Sequence, residues 1–406
     1  MYNILMHLIQ LGVAVAALFS EKVRKMYRGE REAFSILENR IDPSAEYAWF
    51  HAASLGEFEQ GRPIMERLRA EHPEYKILLT FFSPSGYEVR KNYNGADIVC
   101  YMPIDTPSNA RRFVRLANPA LAFFIKYEFW YNFLNELWLK GTPVYSVSSI
   151  FRRDQVFFRW YGMGYKKVLG FFKFFFVQNE ESKSLLAGIG HNNVMVTGDT
   201  RFDRVLQIKI QAKRLPVVEA FAKSCKVLVA GSSWPPDEDI FIRYFNEHSG
   251  WRLIVAPHVI GEDHLRQILS KLNRKAVRYT QATMETAATA ECLIIDCFGL
   301  LSSIYNYGDV AYVGGGFGVG IHNVLEAAVW DMPVIFGPNN KNFIEAQGLK
   351  AAGGGFEIAA YEDFAALMDR FASDAEELSI RGCAAGGYVK NHSGSTNMIM
   401  KEVFAR

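Results

Sequence analysis

Along most of the chain, short apolar runs alternate with stretches whose apolar residues recur every three or four positions. These are the patterns of buried strands and amphipathic helices. Residues 47–53, 76–82, 98–102, 120–124, 144–147, 174–178 and 194–197 predict strands, with helical patterns such as 63–70 and 106–116 between them. Repeated strand–helix units of this length predict a parallel sheet covered on both faces. The stretch 205–224 has no strand pattern, and the alternation then restarts at 226–230, 252–256, 292–295, 310–313 and 333–336. The expected fold class is α/β, with two Rossmann-like doubly wound domains facing a central cleft. The first is placed at 29–210 and the second at 211–406. The last thirty residues read as helices, and a return to the first domain is left open. Ligands of such sheets bind outside the carboxyl ends of the strands, so functional residues are expected just after strands.

The N-terminus breaks this pattern. Residues 4–19 are mostly apolar, interrupted by His7 and Gln10, and Lys22, Arg24, Lys25 and Arg28 follow at once. A cleaved signal peptide carries its charges before the apolar run, and this order is reversed. The run is short for a membrane span of roughly 20 residues. Residues 1–28 are therefore expected to form a membrane-associating helix with a basic collar facing anionic lipid, the body staying on the cytoplasmic side. An amphipathic helix packed on the first domain is the competing expectation.

Composition narrows the function. The 406 residues suffice for two cores, and a formal net charge of +2 argues against nucleic acid as a partner. The five cysteines form no Cys-x-x-Cys pair and are expected to be reduced core thiols. There is no G-x-G-x-x-G after the first strand, no Walker lysine and no H-E-x-x-H, which disfavours a dehydrogenase, a P-loop ATPase and a zincin.

Five segments carry candidate chemistry. His51-Ala-Ala-Ser-Leu-Gly-Glu57 lies where the first strand turns into a helix, and Glu57 lands at the helix start, where a carboxylate could serve as a base. Lys126-Tyr-Glu128-Phe-Trp130 follows the strand 120–124 and combines charges with aromatics suited to a sugar or headgroup. Gly198-Asp-Thr-Arg201-Phe-Asp203 offers a guanidinium fork, or simply an Arg201–Asp203 surface pair. Ala230-Gly-Ser-Ser233-Trp-Pro-Pro offers Ser233 as an anion donor or as a helix N-cap. The most informative segment runs from Val313 through a loop with five glycines to His322-Asn323-Val-Leu-Glu326. Its backbone N–H groups could converge on a phosphate and Glu326 could hold a ribose, although Asn323 and Glu326 also have capping-box spacing.

In order, HAASLGE (51–57), KYEFW (126–130), GDTRFD (198–203), AGSSWP (230–235), APH (256–258), DCFGLL (296–301), GDVAYVGGGFGVGIHNVLE (308–326) and GPNNKNFIEA (337–346) resemble the Kdo transferases of lipopolysaccharide synthesis, glycosyltransferase family 30. The resemblance implies a GT-B fold and an inverting glycosyltransferase that moves 3-deoxy-D-manno-octulosonic acid (Kdo) from CMP-Kdo to a lipid A precursor (lipid IVA). It implies work at the cytoplasmic face of a bacterial inner membrane, with that lipid surface as a further partner. Glu57 matches the family's general base, and Glu128 and Arg201 match transition-state positions. Ala256, Pro257, Phe298, Gly299, Leu300, Asn323, Val324, Leu325 and Glu326 match segments that hold CMP, and Ser233 is placed with them. Because CMP carries one phosphate, no metal and no cofactor are expected. The chain departs from the family pattern at Arg201 (usually Lys), Asp199 (usually Asn), Pro257-His258-Val259 (Arg-His-Pro), Gly299-Leu300 (Gly-Glu) and Ser148-Ser149-Ile150 (Asn-Ala-Arg). The alternatives are a GT-B transferase or epimerase using a UDP-sugar, and a non-catalytic membrane-attached nucleotide-binding scaffold.

Overall fold

The computed structural model describes residues 2–405, the side chain of Met163 excepted. By contacts the chain divides into two units, one of residues up to Arg204 together with Ser393 onward, the other Val205–His392. Each is built on one seven-stranded sheet in which every pairing is parallel.

In the first unit the strands are β1 (Glu46–Ala52), β2 (Tyr75–Phe81), β3 (Ile98–Tyr101), β4 (Pro119–Ile125), β5 (Val144–Ser149), β6 (Phe174–Val177) and β7 (Val194–Val196). Their order is β3-β2-β1-β4-β5-β6-β7, so the winding reverses between β1 and β4. Side chains alternate faces along a strand. Tyr47 and Trp49 of β1 enter one buried cluster, and Ala48, Phe50 and Ala52 enter another. Both faces are covered, which explains why the sequence shows near-continuous apolar runs here.

The second unit contains β8 (Lys226–Ser233), β9 (Trp251–Pro257), β10 (Ala276–Arg278), β11 (Cys292–Ile294), β12 (Val310–Val313), β13 (Val334–Phe336) and β14 (Gly355–Glu357). The order β10-β11-β9-β8-β12-β13-β14 reverses between β8 and β12.

Several expectations need correction. The segment 211–406 is not one unit, because the last helix, Ser395–Val403, buries Ile399 and Met400 in the first unit's core. Asp203 is what ties it there: its carboxylate accepts the N–H groups of Gly394 (2.5 Å) and Thr396 (2.6 Å) and the Thr396 hydroxyl (2.7 Å). Asp203 thus supplies acceptors to helix N–H groups that lack intrahelical partners, and Arg201 pairs with Asp199 instead. Only Cys100 and Cys292 are buried thiols; Cys225 and Cys383 are exposed and Cys297 is half-buried.

At the N-terminus, helices Tyr2–Ala16 and Glu21–Arg40 follow one another. Arg24, one of the basic residues after the apolar run, is turned back to bond the carbonyls of Ala17 (2.9 Å) and Leu18 (3.0 Å) and closes the first helix. Among the described residues no helix is long and apolar enough to cross a membrane.

Replacing Asp203 with Ala leaves at least two helix-start N–H groups without their acceptor. The expected loss is about 1–3 kcal/mol, read as a lower Tm with hydrogen-exchange protection lost first over 394–403. Uniform loss of protection across the first unit would contradict this assignment.

Candidate active and nucleotide sites at the two strand-order reversals

The two reversals are where a doubly wound sheet opens a crevice at its carboxyl edge. The segments flagged in the sequence fall at them.

In the first unit, β1 leads into the helix Leu55–Glu71 and β4 into Lys126–Trp130. Lys126 takes a left-handed backbone, φ 61°, which costs a non-glycine residue about 1 kcal/mol or more. Its N–H donates to Val147 O at 2.8 Å, and its carbonyl accepts from the Ser149 hydroxyl at 2.9 Å, so β5 holds the turn. The turn sends Glu128 back toward β1. There Glu128 Oε2 accepts the Trp130 indole N–H (2.5 Å) and lies 3.1 Å from His51 Nε2. His51 is fully buried at the end of β1, with Nδ1 2.9 Å from the Thr80 hydroxyl, which in turn accepts the Trp49 indole N–H at 2.8 Å.

Glu57, on the first turn of Leu55–Glu71, accepts the Ala53 N–H at 2.5 Å. Burial and then the neighbouring Glu128 charge push its carboxyl up to about 7, against the pull of the Ala53 N–H and Lys126. Gln60, one turn after Glu57 on the same helix, accepts the Thr200 hydroxyl on its carbonyl at 2.5 Å, which brings the Arg201 segment against that helix. Asp199 is buried, accepts the Arg201 N–H (2.9 Å), its Nε (2.9 Å) and a guanidinium nitrogen (2.8 Å), and receives the Gln60 amide at 3.0 Å. Burial raises its carboxyl, and the Arg201 charge more than offsets this, leaving it below the usual range. The structure therefore gathers Glu57, Glu128 and Arg201 around one edge.

In the second unit the reversal joins the end of β8 to the glycine loop after β12. Asp237 is the organiser. Its buried carboxylate accepts the N–H groups of Trp234 and Gly315 (both 2.9 Å) and the Tyr312 hydroxyl (2.8 Å). The glycine N–H groups do not converge on an open anion site. Those of Gly314 and Gly315 bond Gly231 O and Asp237, and those of Gly318 and Gly320 bond Gly315 O. The glycines are required by proximity: a Cβ on Gly316 would lie 2.6 Å from Gly337, and Gly315, at φ 94°, would crowd Gly320 O at 2.4 Å.

The donor candidates cluster unevenly. Ser233 is buried and donates to Glu238 (3.0 Å), and Trp234, not Ser233, occupies the N-cap position of Pro235–Glu247. Ala256 and Pro257 end β9 in register with Gly231 and Ser233. Asn323 accepts the Leu325 N–H (3.2 Å) and donates to Glu326 (3.1 Å), so its capping role and its place beside Glu326 coexist. Val324 and Leu325 are buried. Gly299 has φ 84°, and Phe298 before it is 78% exposed. Leu300 immediately precedes the short helix Leu301–Ile304, which reaches Gly231 so closely that a Cβ there would sit 2.9 Å from Leu301.

The motif reading missed Asp237, His258 and His322 as a constellation. Trp234 stacks on His258 (4.8 Å), His258 stacks on His322 (4.4 Å), and the Trp234 indole N–H donates to His322 Nε2 at 3.2 Å. Burial and then His258 hold His322 below the usual imidazole range. The Asp237-Glu238-Asp239 spacing could suggest a metal, but the three are committed to Gly315, to Ser233 with His264, and to Lys271. Beside the loop, Trp234, Pro235, Pro236, Phe317 and Val319 line a recess of about 230 Å³.

Residues 27–204, which lie within the first unit, match the family model for 3-deoxy-D-manno-octulosonic-acid transferase (kdotransferase). Among curated proteins, a 3-deoxy-D-manno-octulosonic acid transferase of Aquifex aeolicus is 27% identical over 82% of this chain and 88% of its own. One of Chlamydophila psittaci is 26% identical over 75% of this chain and 72% of its own. Among solved structures, a UDP-GlcNAc 2-epimerase of Neisseria meningitidis bound to UDP-GlcNAc superposes with a TM-score of 0.62 at 13% identity, covering 89% of this chain and all of that one. A putative UDP-N-acetylglucosamine 2-epimerase of Listeria monocytogenes gives 0.59 at 12%, covering 89% and 96%. These structural likenesses establish a GT-B-like α/β fold.

Because Glu57 binds its proton more tightly folded than unfolded, its contribution to stability is present below about 4.5 and lost as pH rises through about 7. Glu57→Gln is therefore expected to raise Tm relative to wild type above pH 7, with the gap closing as pH falls toward 4.5. A gap that does not change with pH would mean that Glu57 is not held as a buried, high-affinity acid.

Proposed function

We infer that this chain, a member of the 3-deoxy-D-manno-octulosonic-acid transferase family, transfers Kdo from CMP-Kdo to the glucosamine disaccharide of a lipid A precursor (lipid IVA) in lipopolysaccharide synthesis. The single observation that carries the chemical assignment is the carboxyl pair at the β1–β4 reversal, with Glu57 half-buried and pushed up to about 7. A general base works best when its proton affinity lies near the operating pH.

In the reaction, the acceptor hydroxyl oxygen forms a bond to the anomeric carbon of Kdo while its proton passes to Glu57. The bond from that carbon to the phosphate oxygen breaks on the opposite face, and CMP leaves with the electron pair. One displacement gives inversion and needs no covalent intermediate. Glu128 and Arg201 would balance charge as it moves, Arg201 facing the Kdo carboxylate or the departing phosphate as a planar fork. The second unit would hold the nucleotide, with Glu326 toward the ribose and Ala256, Pro257 and 298–300 alongside. Since four of the glycine N–H groups are already bonded, we assign the phosphate to the segment entering Leu325–Ala328 rather than to the loop glycines.

We place the protein on the cytoplasmic face of the inner membrane through its first helix. Leu8 and Leu11 on that helix, and Leu18 and Phe19 in the turn after it, are 61–84% exposed, more apolar surface than a solvated segment usually presents.

Glu57→Ala is expected to keep CMP binding and to lower turnover of CMP-Kdo with a tetra-acylated acceptor by at least about 100-fold. Turnover within a few-fold of wild type would remove Glu57 from the base role. Exchanging Leu8, Leu11, Leu18 and Phe19 for Ser should abolish co-flotation with anionic vesicles while leaving the fold intact; undiminished flotation would place the membrane contact elsewhere.

A further inference from the structure

The motif that opens the first unit begins with His51, and neither the motif nor the reaction scheme gives this residue a task. Its surroundings define one. A histidine ring nitrogen must be either donor or acceptor, and the partners at both nitrogens of His51 are fixed. The Thr80 hydroxyl accepts the Trp49 indole N–H at 2.8 Å, and its own proton has two possible acceptors: His51 Nδ1 at 2.9 Å and the Phe50 carbonyl at a longer 3.4 Å. With the shorter bond made, Nδ1 is the acceptor and the ring proton sits on Nε2, pointing at Glu128 Oε2 3.1 Å away. The opposite tautomer would set an imidazole lone pair against a carboxylate. The result is a chain of donors from Trp49 through Thr80 and His51 to Glu128, joined on the same oxygen by the Trp130 indole.

We propose that His51 is a positioning residue for the transfer reaction: its Nε2–H holds the Glu128 carboxylate in place beside Glu57, and that neighbouring charge keeps the exchangeable proton on Glu57. Two half-buried carboxyls close enough to repel are not both ionised cheaply, and a donor held against one of them favours its charged form. Glu128 Oε2 alone faces two side-chain N–H groups, those of the His51 ring and the Trp130 indole, whereas Glu57 accepts the backbone N–H groups of Ala53 and Ser54. The other titratable groups facing this pair are Tyr127, which senses Glu57, and Tyr165, which senses Glu128 and Asp105. The Phe124 ring packs beside His51 at 5.5 Å, and His51 is fully buried, so no water is placed to substitute for the Thr80 contact. The inference rests on the reading of Glu57 as base only where it speaks of catalysis; the ordering of the two carboxyls stands apart from it.

The test uses the full chain carrying carboxyl-¹³C glutamate, with the Glu57 signal assigned from its loss in Glu57→Gln, and follows its chemical shift against pH. Wild type should titrate near 7. His51→Gln keeps an N–H aimed at Glu128 and should titrate as wild type does. His51→Phe removes the donor that holds the Glu128 charge beside Glu57, and the Glu57 midpoint should fall to about 6 or below. Trp130→Phe removes the second donor from the same oxygen and should shift Glu57 in the same direction by less. A folded His51→Phe protein with an unmoved Glu57 midpoint overturns the proposal, as does a His51→Gln protein that shifts like His51→Phe. Should His51→Phe fail to fold, an unmoved midpoint in Trp130→Phe overturns it equally. The acid limb of the turnover–pH profile, recorded on the same variants, separates the two readings. If it follows the Glu57 midpoint, base and positioning roles both stand; if the midpoint moves and the limb does not, the base assignment fails while the carboxyl ordering holds.

Discussion

Two half-buried carboxyl groups held together at one edge of a sheet are the constraint around which the first site is arranged. Taking Glu57 partly out of water and setting it beside Glu128 favours its protonated form. Strand order supplies the place, because β1 and β4 are neighbours with the chain winding away on both sides. The backbone supplies the direction, through the left-handed turn at Lys126 that β5 holds in position. Buried donors supply the asymmetry, since His51 and Trp130 both address Glu128. A strained residue and an unusually tuned carboxyl in one crevice are the combination that active sites accumulate.

The second unit meets a different demand with the same topology. At its reversal the loops after β8, β12 and β13 must pass within van der Waals distance of each other, and only glycine fits at several of those crossings. Asp237 locks them by bonding Trp234, Gly315 and Tyr312 at once. The loop is thereby rigid and largely self-satisfied, so its role is to place His322, Asn323 and Glu326 rather than to wrap an anion in its own N–H groups. A nucleotide bearing a single phosphate is compatible with such a site, since it asks for fewer anion donors than a diphosphate would.

Much of this was legible in the sequence, for identifiable reasons. Strands buried on both faces leave continuous apolar runs, and those runs located all but two of the strands. The two missed, β10 and β14, have three residues each and lie at the sheet edges, where one side is unpaired and an apolar run is not needed. Whether the last helix returns to the first unit stayed open in the sequence, because local pattern is blind to the tertiary bonds from Asp203 that direct it there. Within the sites, residues that act directly stand in recognisable segments after strands. Residues that act through others do not: Thr80 lies inside a strand as an ordinary polar residue, and Asp237 sits in a helix start where a cap would look the same. The glycine loop was over-read as a phosphate cradle because glycine count alone does not distinguish close packing from backbone donation.

The account ties one tuned carboxyl pair to transfer from a CMP-linked sugar, although the structures that share the fold include enzymes handling UDP-GlcNAc. The most direct measurement is incubation of the protein with a tetra-acylated lipid A precursor and either CMP-Kdo or UDP-GlcNAc, followed by mass spectrometry of the lipid. A Kdo transferase is expected to give one or more Kdo additions with CMP-Kdo and an unmodified lipid with UDP-GlcNAc. An unchanged lipid with CMP-Kdo, or a product formed from UDP-GlcNAc instead, would contradict it.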